Sequence, residues 1–193
     1  ALVTLGTSIG NFSYSQFLST NGWDLRFANS NNTAWLNYDV ERWSTTGTSY
    51  VWVQIPALVG STSIWAYWGN PAATSAPVVQ ATNGVIWSNY NLVLHMNATN
   101  LPDASTNRHV AVKAGGNNTN VANGAVSGAQ GFLRGDGIGW QPTWSSAVGN
   151  GLTTALTVEL WVYPTAVPGD DVFIINYANG SWPYVNQWFM GTK

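Results

Sequence analysis

Two carboxylates, Asp39 and Glu41, sit two residues apart in the alternating run Trp35 to Trp43. A strand would place both on one face, about 7 Å apart. Two acids at that separation are what inverting glycoside hydrolysis uses, one protonating the leaving oxygen and the other activating water. Arg26 and Arg42 stand near in sequence as salt-bridge partners, and a structural role for the acid pair is the expectation. The acids of the second half are scattered. Glu159 is alone on its run, and Asp170-Asp171 follows the turn residues Pro168-Gly169. His95 and His109 are the two histidines, and cysteine is absent. That composition removes thiolate metal sites, disulfides and cysteine nucleophiles, and no Ser/His/Asp constellation is visible. His95 lies in the apolar run Val93 to Met96, where a hydrogen-bonded core or rim histidine is expected. Zinc would need more nitrogen or sulfur ligands than the chain can place. No cofactor is required on this reading. Calcium, which takes carboxylate, amide and carbonyl oxygens, is the one metal with suitable donors. Asp103, Asp136 and Asp170 are nominated for it.

Tryptophan is the most unusual residue type, at 12 in 193 positions. Flat aromatic faces stack on the C–H faces of sugar rings, while buried Trp also fills sandwich cores. Trp52, Trp65 and Trp161 fall opposite the aliphatic stripes of their runs, and Trp140, Trp144 and Trp182 fall among Gly, Pro and Ser. These six are the carbohydrate-binding candidates.

Charged residues make up only 7% of the chain, against about 25% in an ordinary soluble domain. Asn, Ser, Thr and Gly supply the polarity instead. The 26 aromatic residues implied by 12 Trp, 8 Tyr and 6 Phe exclude a disordered chain. The six cations, Arg26, Arg42, Arg108, Lys113, Arg134 and Lys193, are dispersed, so nucleic acid is not an expected partner. No apolar run is long enough to span a bilayer as a helix, and no membrane insertion is expected. Residues 1–10 lack the charged start and cleavage site of a signal peptide. A secreted or cell-surface location therefore implies a signal removed or lying upstream. Asn-x-Ser/Thr triplets at Asn11, Asn31, Asn97, Asn117 and Asn179 are glycosylation candidates in an organism that modifies them.

The positioning elements are strands. Short runs rich in Val, Ile, Trp, Tyr and Thr alternate with Gly, Asn, Ser and Pro. Leu2–Leu5, Asp24–Phe27, Trp35–Trp43, Ser49–Ile55 and Ile64–Trp68 are the runs of the first half. Leu36, Tyr38 and Val40 share one face of theirs, and Val51, Val53 and Ile55 share one face of the next. The small-residue stretch Gly69 to Pro77 breaks the pattern. Beyond it, Val93–Met96, Leu156–Tyr163, Val172–Ile175 and Trp188–Met190 read as strands. In Leu156–Tyr163, Val158, Leu160 and Val162 are expected to point inward.

Four ordered blocks carry a resemblance. Asn21-Gly22-Trp23-Asp24-Leu25-Arg26-Phe27, Tyr38-Asp39-Val40-Glu41-Arg42-Trp43, Tyr50-Val51-Trp52-Val53 and Trp65-Ala66-Tyr67-Trp68-Gly69-Asn70-Pro71 resemble a bacterial extracellular domain of unknown function, number 2341. Members often precede a laminin-G-like, concanavalin-A-type jelly roll. The second half looks like a partial one, through Leu94-His95-Met96, Pro102-Asp103-Ala104-Ser105, Phe132 to Gly137 and Leu156 to Pro164.

The expectation is an all-β chain of two β-sandwich modules in tandem. Residues 1–76 form the first, 77–84 a linker, and 85–193 a jelly roll incomplete at its C-terminal end. The expected function is non-enzymatic adhesion or glycan binding outside the cell, with glycans or cell-surface polymers as partners. One alternative is a structural subunit of an extracellular filament or sheath, self-associating by strand exchange through open sheet edges. Another is an accessory module of a larger polysaccharide-degrading enzyme.

Overall fold

A computed structural model describes residues 1–98, 101–109, 111–114, 119–132, 141–144, 155, 157–165, 172–178 and 186–192, with backbone pairing alone for 111–114, 141–144, 172–178 and 186–192. The chain is all-β. Among the described residues the helical content is two single 3₁₀ turns, Tyr14–Gln16 and Val85–Trp87, and no helix is long and apolar enough to cross a membrane.

The chain divides into two compact units, Ala1–Val148 and Gly149–Lys193. In the first, strands β1 (Leu2–Leu5), β2 (Arg26–Asn29), β3 (Trp35–Leu36), β4 (Tyr38–Arg42), β5 (Ser49–Val53) and β6 (Ile64–Tyr67) form two antiparallel sheets of three, ordered β1-β5-β4 and β3-β2-β6. The run Trp35 to Trp43, expected as one strand, is divided at Asn37 and contributes to both. Strands β7 (Ala111–Ala114) and β10 (Gln141–Trp144) pair, as do β8 (Thr119–Val121) and β9 (Ala129–Gly131). In the second unit β11 (Val172–Ala178) and β12 (Asn186–Thr192) form an antiparallel pair with register shifts after Phe173 and Tyr177.

Alternation explains the core. Leu5, Val51, Val53 and Tyr38 from one sheet meet Phe27 and Leu36 from the other and Leu25 just before β2, and all are buried. Facing sheets that bury one side each form a sandwich. Of the inward positions read from the sequence, Leu36, Tyr38, Val51 and Val53 are in this core, and Val40 and Ile55 pack against it half-buried. Tyr38 is fully buried and packs edge-on to Phe27 at 5.4 Å. Its hydroxyl donates to Leu25 O at 2.9 Å, and burial pushes its pKa up to about 12.

One end of the sandwich is closed by Phe12, Tyr14, Phe17, Trp43 and Trp68, with ring centroids 5.0–6.2 Å apart in the contacting pairs. Gly22, at φ +69°, lies under Trp43, and a Cβ there would stand 2.7 Å from the indole. The indole cannot retreat, because it packs on Tyr14 and Phe17 and donates to Thr20 O. Asp24 is the polar centre of this end. Its buried carboxylate accepts from the backbone N–H groups of Leu18 (2.9 Å), Ser19 (3.3 Å) and Gly69 (2.9 Å). The sequence blocks around Asp24 and Gly69 are thereby joined. Arg26 turns to the carbonyls of Trp23 and Leu25 and is no partner of the strand acids.

Two expected strands are not strands. Val93–Met96 makes only an isolated bridge, Leu94 to Asp103. Residues 157–163 of Leu156–Tyr163 have no ladder partner among the described residues. There Leu160 is 40% and Val162 51% exposed, so that stripe does not point into a core. Alternation gives a segment two faces, but a strand also needs a neighbour for its backbone groups. Residues 77–84, expected as a linker, carry a parallel bridge between Gln80 and Tyr38.

Replacing Asp24 with Ala should leave three backbone donors without their acceptor and destabilise the chain by roughly 3 kcal/mol. A urea denaturation midpoint unchanged from the native chain would remove Asp24 from this role.

Candidate functional site

β4 is an edge strand of its sheet, and the segment Val79 to Ala81 covers its open side at Tyr38. Tyr38 N donates to Val79 O at 2.8 Å and Ala81 N donates to Tyr38 O at 2.7 Å. The cover then turns at Gly84, whose φ is +82° and whose Cβ, if present, would stand 2.6 Å from the Ser105 backbone. Only glycine supplies both that backbone conformation and that closeness. The 3₁₀ turn Val85–Trp87 follows, held by Gln54 Nε2 donating to Val85 O at 3.2 Å.

Asp103 gathers Val93, Ser105 and His109 around itself. Its buried carboxylate accepts from the N–H groups of Val93 (3.1 Å), Ser105 (2.8 Å) and His109 (2.9 Å) and from Ser105 Oγ (2.9 Å). Burial alone would raise its pKa; the four donors outweigh burial and lower it. Arg108 ties the loop to Asp103 O and Thr82 O.

This scaffold delivers Trp87 and His95 onto the acid pair of β4. His95 Nδ1 pairs with Glu41 Oε2, and its Nε2 lies 3.7 Å from Asp39 Oδ2. That second nitrogen is buried without a hydrogen-bond partner. Trp52 Nε1 donates to Glu41 Oε2 at 3.2 Å, Asn97 Nδ2 to Glu41 Oε1 at 3.1 Å, and Trp87 Nε1 to Asp39 Oδ2 at 3.4 Å. The Trp87 ring stands edge-on to Trp52, Tyr90 and His95. The ladder shifts register between Val40 and Arg42, which leaves Glu41 as the extra residue of a β-bulge. Bulges re-aim side chains, so the regular spacing behind the 7 Å expectation does not apply. Burial disfavours charge on His95, yet the Asp39 and Glu41 carboxylates outweigh it, and its pKa is pushed up to about 9. The Glu41 side chain is 1% exposed, with both oxygens engaged. The two acids clasp an imidazolium, and the residues anticipated as their partners, Arg26 and Arg42, take no part.

A second feature lies on the outer face of the sheet β3-β2-β6. Ala28 is paired with Trp35 on one side and Trp65 on the other. The row Trp35–Ala28–Trp65 faces away from the core residues Phe27, Leu36 and Ala66. Trp35 is 55%, Trp65 54% and Tyr67 39% exposed. Tyr67 stands edge-on to Trp35 at 5.7 Å. Trp65 Nε1 donates to Ser30 O at 3.0 Å, fixing the indole against the turn between β2 and β3.

The sequence candidates thus separate. Trp65 is on the outer aromatic row, and Trp52 is half-buried in the His95 cluster. Trp161, in the second unit, is 83% exposed beside Tyr163 at 89%. Trp144 is placed by its backbone in β10. Trp140, Trp182, Asp136, Asp170, Asn117 and Asn179 lie outside the described residues. Asp103 serves backbone donors, and among the described residues no three His, Cys, Asp or Glu side chains gather as a metal would require. Asn11, Asn31 and Asn97 are exposed. Trp35 and Trp87 are not among the sequence candidates, because each sits on a segment whose face is defined only by its neighbours in space.

A profile of the family described as a domain of unknown function (DUF2341) matches residues 21–125. That span contains Asp39, Glu41, His95, Asp103 and the row Trp35–Ala28–Trp65. No curated protein and no solved structure matches the chain significantly.

The His95 clasp has a definite pH signature. The folded value, about 9, exceeds the ordinary 6.5. Its stabilisation is therefore complete below 6.5 and is lost as pH rises through 9. The native chain should lose about 2–3 kcal/mol between those limits that a His95→Gln variant does not. Thermal melts at neutral and alkaline pH check this, and parallel curves for the two proteins would refute it.

Proposed function

The chain belongs to the DUF2341 family, and from that premise we propose that it acts without catalysis at the outer cell surface, holding glycans or neighbouring surface polymers. The observation that carries this reading is the row Trp35–Ala28–Trp65 with Tyr67 beside it. Three large aromatic side chains are 39–55% exposed on one sheet face, although apolar rings are ordinarily drawn inward. Ala28, paired between the two Trp residues, is itself buried, so the rings and not the strand beneath them form the platform. Strand spacing separates the two Trp backbones by about 10 Å, room for successive sugar rings to lie across them. The Asn-rich turn Asn29 to Ala34 borders the row. It is held by Asn29 Oδ1, which accepts from Thr33 N and Ala34 N, and it offers Asn31, Asn32 and Thr33 as exposed polar neighbours. A sugar needs that combination, an apolar platform rimmed by hydrogen-bonding groups.

Two features support the non-catalytic part. Glu41 is sealed from solvent, and His95 occupies the space between the acids that a substrate would need. The resemblance of the second half to a jelly roll adds a further glycan-binding fold to this reading, with Trp161 as its exposed aromatic.

The filament reading keeps one supporting observation. Among the described residues β1 and β6 each pair on one side only, and open edges accept strands from other chains. Electron microscopy of the native material separates the two, since regular fibres would favour assembly.

Trp35→Ala and Trp65→Ala should each weaken retention on immobilised neutral polysaccharides about tenfold, the loss of about 1.4 kcal/mol. Both residues are exposed, so folding should persist by circular dichroism. Folded variants that bind as the native chain does, or a native chain that binds no glycan on an array, would end this reading.

A further inference from the structure

Beside the His95 cluster, and apart from the aromatic row, lies an open cleft of about 390 Å³ lined by Arg42, Asn97, Asn120, Asn123, Ser127 and neighbouring backbone. Its walls are fixed. Gln130 Nε2 donates both to Met96 O at 3.2 Å and to Asn120 Oδ1 at 2.6 Å, which fastens the β8–β9 hairpin to the segment carrying Asn97. The hairpin approaches closely: a Cβ on Gly128 would stand 3.3 Å from Asn97 Cα, and one on Gly124 would stand 2.5 Å from Gly128 O. Ser127 holds a left-handed conformation, φ 65°, the kind of backbone strain that accumulates at binding sites.

The partners of the two amides decide what they present. A carboxylate at neutral pH only accepts, so Asn97 turns its Nδ2 to Glu41 and leaves Oδ1 as an acceptor. Met96 O also only accepts. Gln130 is thereby oriented with its Nε2 as donor, Asn120 receives it on Oδ1, and the Asn120 Nδ2 remains a donor. Arg42 is exposed and takes no hydrogen bond or ion pair among the described residues. In a chain with 7% charged residues, a guanidinium without a partner at the mouth of a polar cleft stands out. The site offers one rigid donor fork for a carboxylate, one oriented donor, one oriented acceptor and the uncommitted amide of Asn123.

We propose that this cleft binds an acidic sugar unit, a uronate whose carboxylate meets Arg42 and whose hydroxyls meet Asn97, Asn120 and Asn123. A guanidinium matches a carboxylate with two parallel hydrogen bonds. The volume is at the lower end of small-molecule sites, enough for one or two sugar rings. The inference stands on observations separate from the aromatic row and survives if that row binds nothing.

The test is calorimetric titration of the full chain with tri-galacturonic acid, with cellotriose as the neutral probe and dextran sulfate as the charge probe. Tri-galacturonic acid should bind, and Arg42→Gln should weaken it about tenfold, as expected for one lost charged hydrogen bond. Asn120→Asp, which puts an acceptor where the donor was, should weaken it further by repulsion. Both variants should keep the native melting temperature, and Arg42→Gln should keep whatever neutral-glycan binding Trp35 and Trp65 provide. Native-like affinity in folded Arg42→Gln, or cellotriose or dextran sulfate binding that is as strong as the uronate's and equally lost with Arg42, would each overturn the proposal. No heat with tri-galacturonic acid at millimolar concentration would do the same.

Discussion

An edge strand leaves a row of backbone groups and half of its side chains without neighbours, and β4 is the strand on which this chain meets that constraint. Water could satisfy those groups, but β4 also carries the core residues Tyr38 and Val40 on its other face and must be held in place. The sequence answers with the segments 77–98 and 101–109. They give Tyr38 two backbone hydrogen bonds and lay Trp87 and His95 over the exposed face. The cover works because its two fixed points are polar centres with few alternatives. Asp103 gathers four donors from its own loop, while Asp39 and Glu41 have one imidazolium between them.

The scarcity of charge explains why these contacts matter. With 6 cations and 8 acids in 193 residues, surface ion pairs are few and each would contribute little. Four of the five acids among the described residues are used inside the structure, as acceptors for backbone N–H groups at Asp24 and Asp103 and as a counter-charge at Asp39 and Glu41, while Glu159 is exposed. Breaking any of them exposes a buried donor or an unpaired charge, which costs more than a surface contact returns. The same economy leaves the outer surface to Asn, Thr, Ser and aromatic rings. Arg42, without a partner among the described residues and beside three amides, is the exception on which the proposed uronate site rests.

Much of the first unit was legible in one dimension. β1 coincides with the run read from the sequence, and β5 and β6 fall within theirs, because alternation with β-branched and aromatic residues leaves few other conformations open. The inward face of the Leu36–Val40 run was legible for the same reason. The candidate site was readable only as ingredients. Asp39 and Glu41 were visible as a pair, and His95 as a histidine in an apolar run. Their union depends on a loop returning across more than 50 residues, and on a bulge that periodicity does not announce. Trp52 looked outward by alternation, yet the returning loop half-buried it.

The sequence by itself determined the layered β class, the inward faces of the first strands, the shortage of charge and thiol chemistry, and the four blocks shared with a known family. Each of these follows from local sterics, from side-chain alternation or from composition. The tertiary structure decided which neighbours each face receives. It sent Arg26 to carbonyls and His95 to the acids. It left Trp35 and Trp65 half-exposed on either side of the buried Ala28, and it left Arg42 without a partner among the described residues, beside oriented amides. Those outcomes depend on contacts between residues distant in the chain, and no local pattern contains them.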